Sequence, residues 1–317
     1  MKTHPVTDVT SPLLRAILWM GVALLSFSAI AIAGRESGRV LPTTELIFWR
    51  SLIGVVVLGS IYRWHGSASD GPHTTVLPLH MVRSLVHYSA QYAWLFALTL
   101  IPLAELFALE FTSPLWVALL APAFLGERLT VWRMAAAGIG FVGALLVVEP
   151  GLVSGRLQLT ASIGTFYAIA AAMGFAVSII LTKRLTRVDP ALRILFWMQL
   201  LQGLIAIVIL SVMGLRVGQS PLALTLSTPL HIWGWIALLG IAGLGAHFGL
   251  TRAIGLVDAI IVAPLDFLRL PLIAAVGAVF YAESLRPSVA IGTAVVVLGN
   301  AINLWAERRA KLRAHIA

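Results

Sequence analysis

Ten long apolar runs restrict what this chain can fold into more than any other feature of its sequence. A helix needs about 20 apolar residues to cross the hydrocarbon core of a bilayer. Runs of that length occur at 13–33, 43–62, 79–98, 103–124, 131–149, 161–181, 190–213, 231–250, 257–280 and 287–306. The remaining loops are too short for a soluble domain. The sequence therefore predicts an all-α integral membrane protein with ten transmembrane helices.

The composition supports this class and excludes others. Charged residues make up 11% of the 317 positions, whereas a soluble domain carries about a quarter. The net charge of +9 comes from short basic clusters between the apolar runs. That spacing is typical of cytoplasmic loops and not of a nucleic-acid-binding surface. The chain has no cysteine, which excludes disulfides and thiol chemistry.

The distribution of basic residues predicts which side of the membrane the termini occupy. Ten spans place both termini on one side. If that side is the cytoplasm, 15 of the 22 Lys and Arg residues lie in inner loops and flanks, including Arg83. Five lie in outer loops, while Arg50 and Arg269 lie within spans. The positive-inside rule thus favours cytoplasmic termini and a multi-pass location in the inner (plasma) membrane.

The sequence repeats itself internally. A shift of 148 residues aligns Phe27 with Phe175 and Pro42 with Pro190. A shift of 156 aligns Glu110 with Asp266. These matches predict two five-helix repeats, at 13–149 and 161–306. Short cytoplasmic tails are expected at 1–12 and 307–317. Because five is odd, the repeats must cross the membrane in opposite directions. Inverted repeats of this kind place a site near the midplane and expose it to each side in turn.

Several motifs resemble a known family. The first repeat carries Arg50, then IPLAELFALEFTSPLWVALLAPAFLGERLT at 101–130 and GFVGALLVVEPG at 140–151. The second repeat has a weaker copy of these motifs, with Pro264, Pro271 and Glu283. The two halves resemble EamA domains of the drug/metabolite transporter superfamily. This resemblance implies ten helices around a central cavity, transport of a small molecule, and no bound cofactor.

Three polar residues are expected at one depth of the membrane. Arg50, Gln91 and Glu110 each lie seven residues from the outer end of their span, or roughly 10 Å deep. A charge at that depth costs about 2.5–3.5 kcal/mol, so charged residues there usually face protein or a cavity. We expect Arg50 to pair with Glu110. The repeat has Met198 in place of Arg50, and there Arg269 is expected to pair with Asp266, three residues before it.

Both pairs have two interpretations. They line a substrate cavity, or they are static ion pairs that hold helices together. Protonation of Glu110 or Asp266 is a hypothesis for coupling transport to a proton gradient. His87, in the middle of span three, is a candidate proton carrier or a packing residue.

Uncharged polar and aromatic residues supply further candidates. Gln199 and Gln202 lie on one face of span seven and either bind substrate or bond to another helix. Trp49 and Trp197 are repeat partners that either flank the cavity or pack in the core. Asn300 and Asn303 are expected to hold helices together.

Taken together, these residues predict a permease that moves an amino-acid-like metabolite by alternating access, with export as the preferred direction. Uptake of a vitamin or nucleobase-like compound is the alternative within this class. The rival classes are an intramembrane enzyme that uses Glu110 and His87 as acid and base, and a membrane scaffold that transports nothing. The sequence has no metal-binding cluster and no nucleotide-binding motif. No catalytic role is therefore expected, and a monomer and a homodimer both remain open.

Overall fold

The computed structural model describes residues 10–65, 72–125, 131–148, 162–217, 227–256 and 265–316. Within these ranges the chain is helical, with no strand. The helices are α1 Thr10–Gly38, α2 Thr43–His65, α3 Leu77–Leu98, α4 Leu103–Glu110, α5 Ser113–Leu125, α6 Val131–Val148, α7 Ile163–Leu185, α8 Ala191–Val217, α9 Leu230–Leu256, α10 Arg269–Tyr281 and α11 Pro287–Ile316.

The helices have the length and hydropathy of membrane spans. Seven described stretches are long and apolar enough to cross a bilayer, and the shorter helices α6 and α10 are also apolar. Large apolar side chains such as Leu14 and Val56 are more than half exposed, as expected for surfaces that face lipid. The all-α, multi-pass membrane class is thus confirmed. The expected ninth span, 257–280, and the Gly126–Arg128 turn lie partly or wholly outside the described residues.

The expected span 103–124 is not one continuous helix. It consists of α4 and α5, which are separated by a turn at Phe111 and Thr112. Pro114 lies in the first turn of α5, where it cannot donate a backbone hydrogen bond to the preceding turn. The side-chain nitrogen of Asn300 donates to the Phe111 carbonyl at 2.7 Å and so satisfies an acceptor that the break exposes. A second turn, at Phe267 and Leu268, immediately precedes α10.

Helix joints are fixed by local hydrogen bonds. At the start of α7, Ser162 and Thr165 form a capping box, in which each side-chain oxygen accepts from the other residue's backbone N–H. Such a cap satisfies N–H groups that have no partner inside the helix. The capping box therefore stabilises the first turn of α7.

Four helix pairs form the framework of the bundle: α1 with α9, α3 with α7, α2 with α8, and α6 with α11. The backbones of α6 and α11 approach each other closely. A Cβ atom on Gly143 would lie 2.6 Å from the Val296 backbone nitrogen, and one on Gly299 would lie 2.8 Å from the Gly140 nitrogen. Small residues allow two backbones to approach this closely in a membrane. The glycines therefore allow α6 and α11 to pack backbone against backbone.

Candidate functional site

A cavity of about 500 Å³ lies between these helix pairs. Most of its lining is apolar, and it includes five aromatic side chains: Phe27, Trp94, Phe111, Phe175 and Phe267. It also collects charged residues from separate helices: Arg50, Arg83, Glu110, Asp266 and Arg269. The expected central cavity is therefore present, and all four charged residues that the sequence suggested as candidates line it.

One face of α3 supplies much of the polar lining. Arg83, His87 and Gln91 are spaced four residues apart, which places them on one face of the helix. His87 contacts Ser178 of α7, with 3.2 Å between the ring Nδ1 and the hydroxyl oxygen. His87 and Gln91 are thus both cavity residues, as the sequence suggested.

Arg50 does not form the expected ion pair with Glu110. Its Nη1 instead donates to the Gln91 side-chain oxygen at 2.9 Å. The guanidinium also lies against the backbone of α9, because a Cβ on Gly243 would be 2.9 Å from the Arg50 Nε. Arg50 is 5% exposed. Gln91 holds it on the cavity wall with a neutral side chain, so its charge is not neutralised by that contact.

Arg269 takes the place that was expected for Arg50. Its Nη2 lies 3.4 Å from the Glu110 carboxylate and 3.5 Å from the Asp266 carboxylate. The expected pair of Arg269 with Asp266 is present, and Glu110 joins it from the other half of the chain. Trp94 Nε1 also donates to Glu110 at 2.7 Å. One arginine is therefore shared by two carboxylates at the two helix breaks.

Aromatic rings surround the shared arginine. The Arg269 guanidinium carbon lies 4.2 Å from the ring centre of Phe27 and 4.7 Å from that of Phe111. Ring faces attract a cation, most strongly where water is excluded. These contacts help to hold Arg269 at membrane depth beside its two acids.

Arg83 was not expected in the site. The sequence placed it in an inner flank, but it is 6% exposed and lines the cavity. Its Nε donates to the Thr182 hydroxyl at 3.0 Å, while its Nη1 has no hydrogen-bond partner among the described residues. The four-residue spacing of Arg83, His87 and Gln91 was the signal that would have identified it.

Two further polar contributions were also missed. His247 of α9 lines the cavity one helical turn beyond Gly243. Asn300 and Asn303 line it from α11. The expected packing role of Asn300 is confirmed by its bond to the Phe111 carbonyl, but its position on the cavity wall was not foreseen.

Gln199 and Gln202 do not line the cavity and lie elsewhere, in α8. Gln199 packs on Gly54 of α2, so closely that a Cβ there would overlap its amide group. Gln202 is 0% exposed, and its amide nitrogen and oxygen have no hydrogen-bond partner in the described part of the chain. Both side chains therefore pack between helices, and the expected hydrogen bond from Gln202 to another helix is not formed among the described residues.

Trp49 and Trp197 also lie away from the cavity. Trp49 makes an edge-to-face contact with Trp233, with 4.9 Å between the ring centres. Trp197 Nε1 donates to the Pro72 carbonyl at 2.7 Å in the segment before α3. Of the two alternatives for these tryptophans, packing within the protein is the one that these contacts fit.

The bundle is closed at one end by a buried ion pair. Arg35, near the end of α1, pairs with Glu283, which follows α10. Arg35 also donates to the carbonyls of Leu98 and Ile101, at 2.8 and 2.6 Å. Glu283 accepts from the Leu103 N–H at 2.9 Å. We call this end the far side. The contacts join α1, α10 and the α3–α4 joint into one closure.

The opposite end, here called the terminal side, contains a second buried cluster. Asp189, in the α7–α8 joint, accepts hydrogen bonds from Thr74 at 2.6 Å and Arg193 at 2.9 Å, and lies 2.8 Å from His80 Nε2. Burial alone would raise the pKa of Asp189, but the hydrogen bonds from His80, Thr74 and Arg193 lower it to about 2. The cluster fixes the start of α3 to this joint.

The described residues contain no group of three or more His, Asp or Glu side chains that could hold a metal ion. The polar groups of the cavity are instead guanidinium, carboxylate, amide and imidazole groups. Such a set binds small organic molecules through charge and hydrogen bonds.

Comparison with known proteins gives matches along almost the whole chain. The model of the EamA-like transporter family matches residues 14–149 and again 162–305. The S-adenosylmethionine uptake transporter of Rickettsia felis is 24% identical, covering 98% of this chain and 99% of that protein. The riboflavin transporter of Brucella anthropi is 28% identical, with 88% and 94% covered. The pseudopaline exporter of Pseudomonas aeruginosa is 27% identical, with 84% and 88% covered.

One solved crystal structure has the same fold. It aligns with a TM-score of 0.60 at 22% sequence identity, covering 93% of this chain and 98% of that one. At this identity the likeness concerns the fold alone.

Proposed function

The chain belongs to the EamA-like transporter family, and from that premise we propose that it moves a small amino-acid-like metabolite across the plasma membrane by alternating access. Membership makes the protein a small-molecule membrane transporter and sets aside the intramembrane enzyme and the scaffold. The relatives named above carry chemically different compounds, and both uptake and export occur among them. The names of the relatives therefore determine neither the substrate class nor the direction of transport.

Alternating access needs two halves that rock against each other, and helix packing supports this arrangement. Inverted repeats at 13–149 and 161–306 would exchange the pair α1–α9 with the pair α7–α3. They would map α2–α8 and α6–α11 each onto itself. These are the four pairs that pack most extensively. The turns after Glu110 and Asp266 also fall at equivalent positions. Both features agree with a pseudo-two-fold axis in the membrane plane.

The observation that carries the substrate class is the state of Arg50 and Arg83. Among the described residues, neither has a carboxylate within ion-pair distance, and their hydrogen bonds go to the neutral side chains of Gln91 and Thr182. Both acids of the cavity are engaged by Arg269 instead. A buried guanidinium without an anion is unfavourable. A substrate carboxylate that binds Arg50 and Arg83 would remove this penalty, because charge-assisted hydrogen bonds are the stronger kind.

Export is the proposed direction, as for the pseudopaline exporter among the relatives, and the position of the cavity fits the loading step of an exporter. The cavity reaches Arg83 and Thr182, close to the terminal side, while Arg35 and Glu283 close the far side. With cytoplasmic termini, as the positive-inside rule favours, a substrate enters this cavity from the cytoplasm.

Glu110 and Asp266 together carry one negative charge more than Arg269 neutralises. A proton on either acid would balance it, which is the basis for the proposed proton coupling.

Transport in proteoliposomes tests this proposal, with L-phenylalanine as the probe because aromatic rings line the cavity. Arg50→Met copies the residue that Met198 provides in the repeat. Loss of one charge-assisted contact, about 1.5–3 kcal/mol, predicts roughly a 10- to 100-fold weaker apparent affinity. Arg309→Ala is the control, because Arg309 is exposed on α11. A folded Arg50→Met protein with wild-type affinity would contradict the proposed carboxylate site.

Coupling and direction need separate measurements. We expect Glu110→Gln to remove the dependence of transport on an imposed proton gradient, whereas an unchanged dependence would exclude Glu110 from coupling. Because the chain has no cysteine, single cysteines near either terminus report the orientation through an impermeant maleimide. Faster efflux than uptake from vesicles of known orientation would support export.

A further inference from the structure

We propose that oxygen atoms beside the two helix breaks form a binding site for a monovalent cation, which is the ammonium group of the transported molecule. We call this set the oxygen corner: Glu110, Ser113, Asp266, Asn300 and Asn303, all on the cavity wall. The proposal rests on the proposed function, because it supplies the second pole of an amino-acid-like substrate whose carboxylate binds Arg50.

Two sets of contacts and one helical spacing place the residues of the oxygen corner near each other. The carboxylates of Glu110 and Asp266 both face Nη2 of Arg269, at 3.4 and 3.5 Å. Asn300 is tied to the same break by its 2.7 Å bond to the Phe111 carbonyl. Asn303 follows three residues later on α11 and therefore lies on the same face.

Most of these residues have an acceptor atom without a donor. The side-chain oxygens of Asn300, Asn303 and Ser113 have no hydrogen-bond partner within the described residues, and the same holds for Asp266 Oδ1. Asn300 is 2%, Ser113 7% and Asn303 9% exposed. A buried acceptor left unsatisfied costs about 1–3 kcal/mol. An ammonium group offers three donors and no acceptor, so it matches this set of atoms.

The charge of the oxygen corner favours a monovalent cation. Two carboxylates and one guanidinium leave a formal charge of −1, which one ammonium group neutralises. A divalent ion would leave an excess positive charge beside Arg269. The corner and Arg50 are also close along α3. Gln91 contacts Arg50 and Trp94 contacts Glu110, and three residues correspond to a rise of about 4.5 Å. A small zwitterion therefore has its two poles within reach of both groups.

The test uses three ligands that share one aromatic ring: L-phenylalanine, 3-phenylpropanoate, which lacks the ammonium group, and phenethylamine, which lacks the carboxylate. Binding to the purified full-length protein is measured by calorimetry. Asn303→Leu removes one acceptor without touching the bond between Asn300 and Phe111. It is expected to weaken L-phenylalanine and phenethylamine about tenfold or more and to leave 3-phenylpropanoate unchanged. Asn303→Asp is expected to strengthen phenethylamine.

A matched control and the Arg50 variant separate the possible failures. Gln202→Leu removes another buried amide, outside the cavity, and is expected to change the affinity of none of the three ligands. Arg50→Met should weaken L-phenylalanine and 3-phenylpropanoate but not phenethylamine. If Arg50→Met fails to discriminate between the ligands while Asn303→Leu does, the proposed carboxylate site is wrong and the oxygen corner stands.

Sodium is the other source of a monovalent cation. Thermal unfolding without organic ligand is compared in sodium and in choline chloride. If Na⁺ stabilises the wild type but not Asn303→Leu, the corner is a cation site whose occupant is the ion. The proposal is overturned if Asn303→Leu changes neither the Na⁺ stabilisation nor the affinity of the ammonium ligands, or if it weakens 3-phenylpropanoate as much as the other two.

Discussion

The far-side closure gives the most demanding prediction, because one substitution should shift a whole conformational equilibrium. In Glu283→Gln the side chain can still accept from the Leu103 N–H, but it no longer carries the charge that pairs with Arg35. Removing one partner of a buried pair costs about 3–5 kcal/mol. The side chains here are 10% and 17% exposed, and Gln keeps one hydrogen bond, so we expect about 2 kcal/mol.

This penalty applies to the closed state alone, since opening the far side separates the pair and hydrates both groups. A loss of about 2 kcal/mol changes the equilibrium roughly 30-fold. A far-side-open state that occupies about 1% of the wild type, within the usual range for a minor state, would then occupy about a quarter of the molecules. That change is large enough to measure directly.

Spin-label distances provide the assay, because the chain has no native cysteine to interfere. Labels at Leu100→Cys and Leu285→Cys lie on exposed residues of the α3–α4 and α10–α11 joints. We expect one short distance in the wild type and a second, longer distance in Glu283→Gln. Arg309→Ala is the control, because Arg309 is an exposed residue of α11 outside this closure. An unchanged distance distribution in folded Glu283→Gln would refute the assignment of this pair as the closure.

Two more predictions concern the framework. Gly143→Ala places a Cβ 2.6 Å from the Val296 nitrogen and should destabilise the protein by about 1–3 kcal/mol. A Cβ at Gly138 on the same helix meets nothing within 4 Å. Equal melting temperatures for Gly143→Ala and Gly138→Ala would therefore contradict the close packing of α6 against α11. Because the fold lowers the pKa of Asp189 to about 2, its ionised form contributes stability above about pH 4 that is lost as the pH falls toward 2. Asp189→Asn should melt with a weaker dependence on pH in that window, and a parallel dependence would refute the role of this cluster.

Sequence alone predicted the helices well because a membrane span needs only a long apolar run. It predicted their continuity less well. Pro114 was a visible signal for the break between α4 and α5. The atom that stabilises this break is the Asn300 amide, 186 positions after Pro114 in the chain. The sequence does not reveal such a tertiary contact.

Polarity and depth identified Arg50, Glu110, Asp266 and Arg269 as candidates, but they did not identify the partner of Arg50. Equal depth suggested that Arg50 faces Glu110, yet depth says nothing of the direction in which each helix turns its face. Arg83 was missed for a related reason. Its place near the start of α3 indicated an aqueous flank, whereas contact with Thr182 turns its side chain into the bundle. For Gln199, Gln202, Trp49 and Trp197, polarity and depth left two alternatives open, and the contacts of the folded chain place these side chains away from the cavity.

The shared arginine has a consequence for how the protein assembles. α4 ends on Glu110 and α10 begins on Arg269. An acid at a helix C-terminus and a base at an N-terminus each oppose the helix dipole. Each charge is therefore poorly tolerated within its own helix and becomes favourable only when the helices meet. A first half expressed without the second leaves Glu110 in the membrane with the hydrogen bond from Trp94 but without Arg269. We therefore expect insertion and folding of the two halves to be cooperative, so that co-expressed fragments accumulate together when neither accumulates alone.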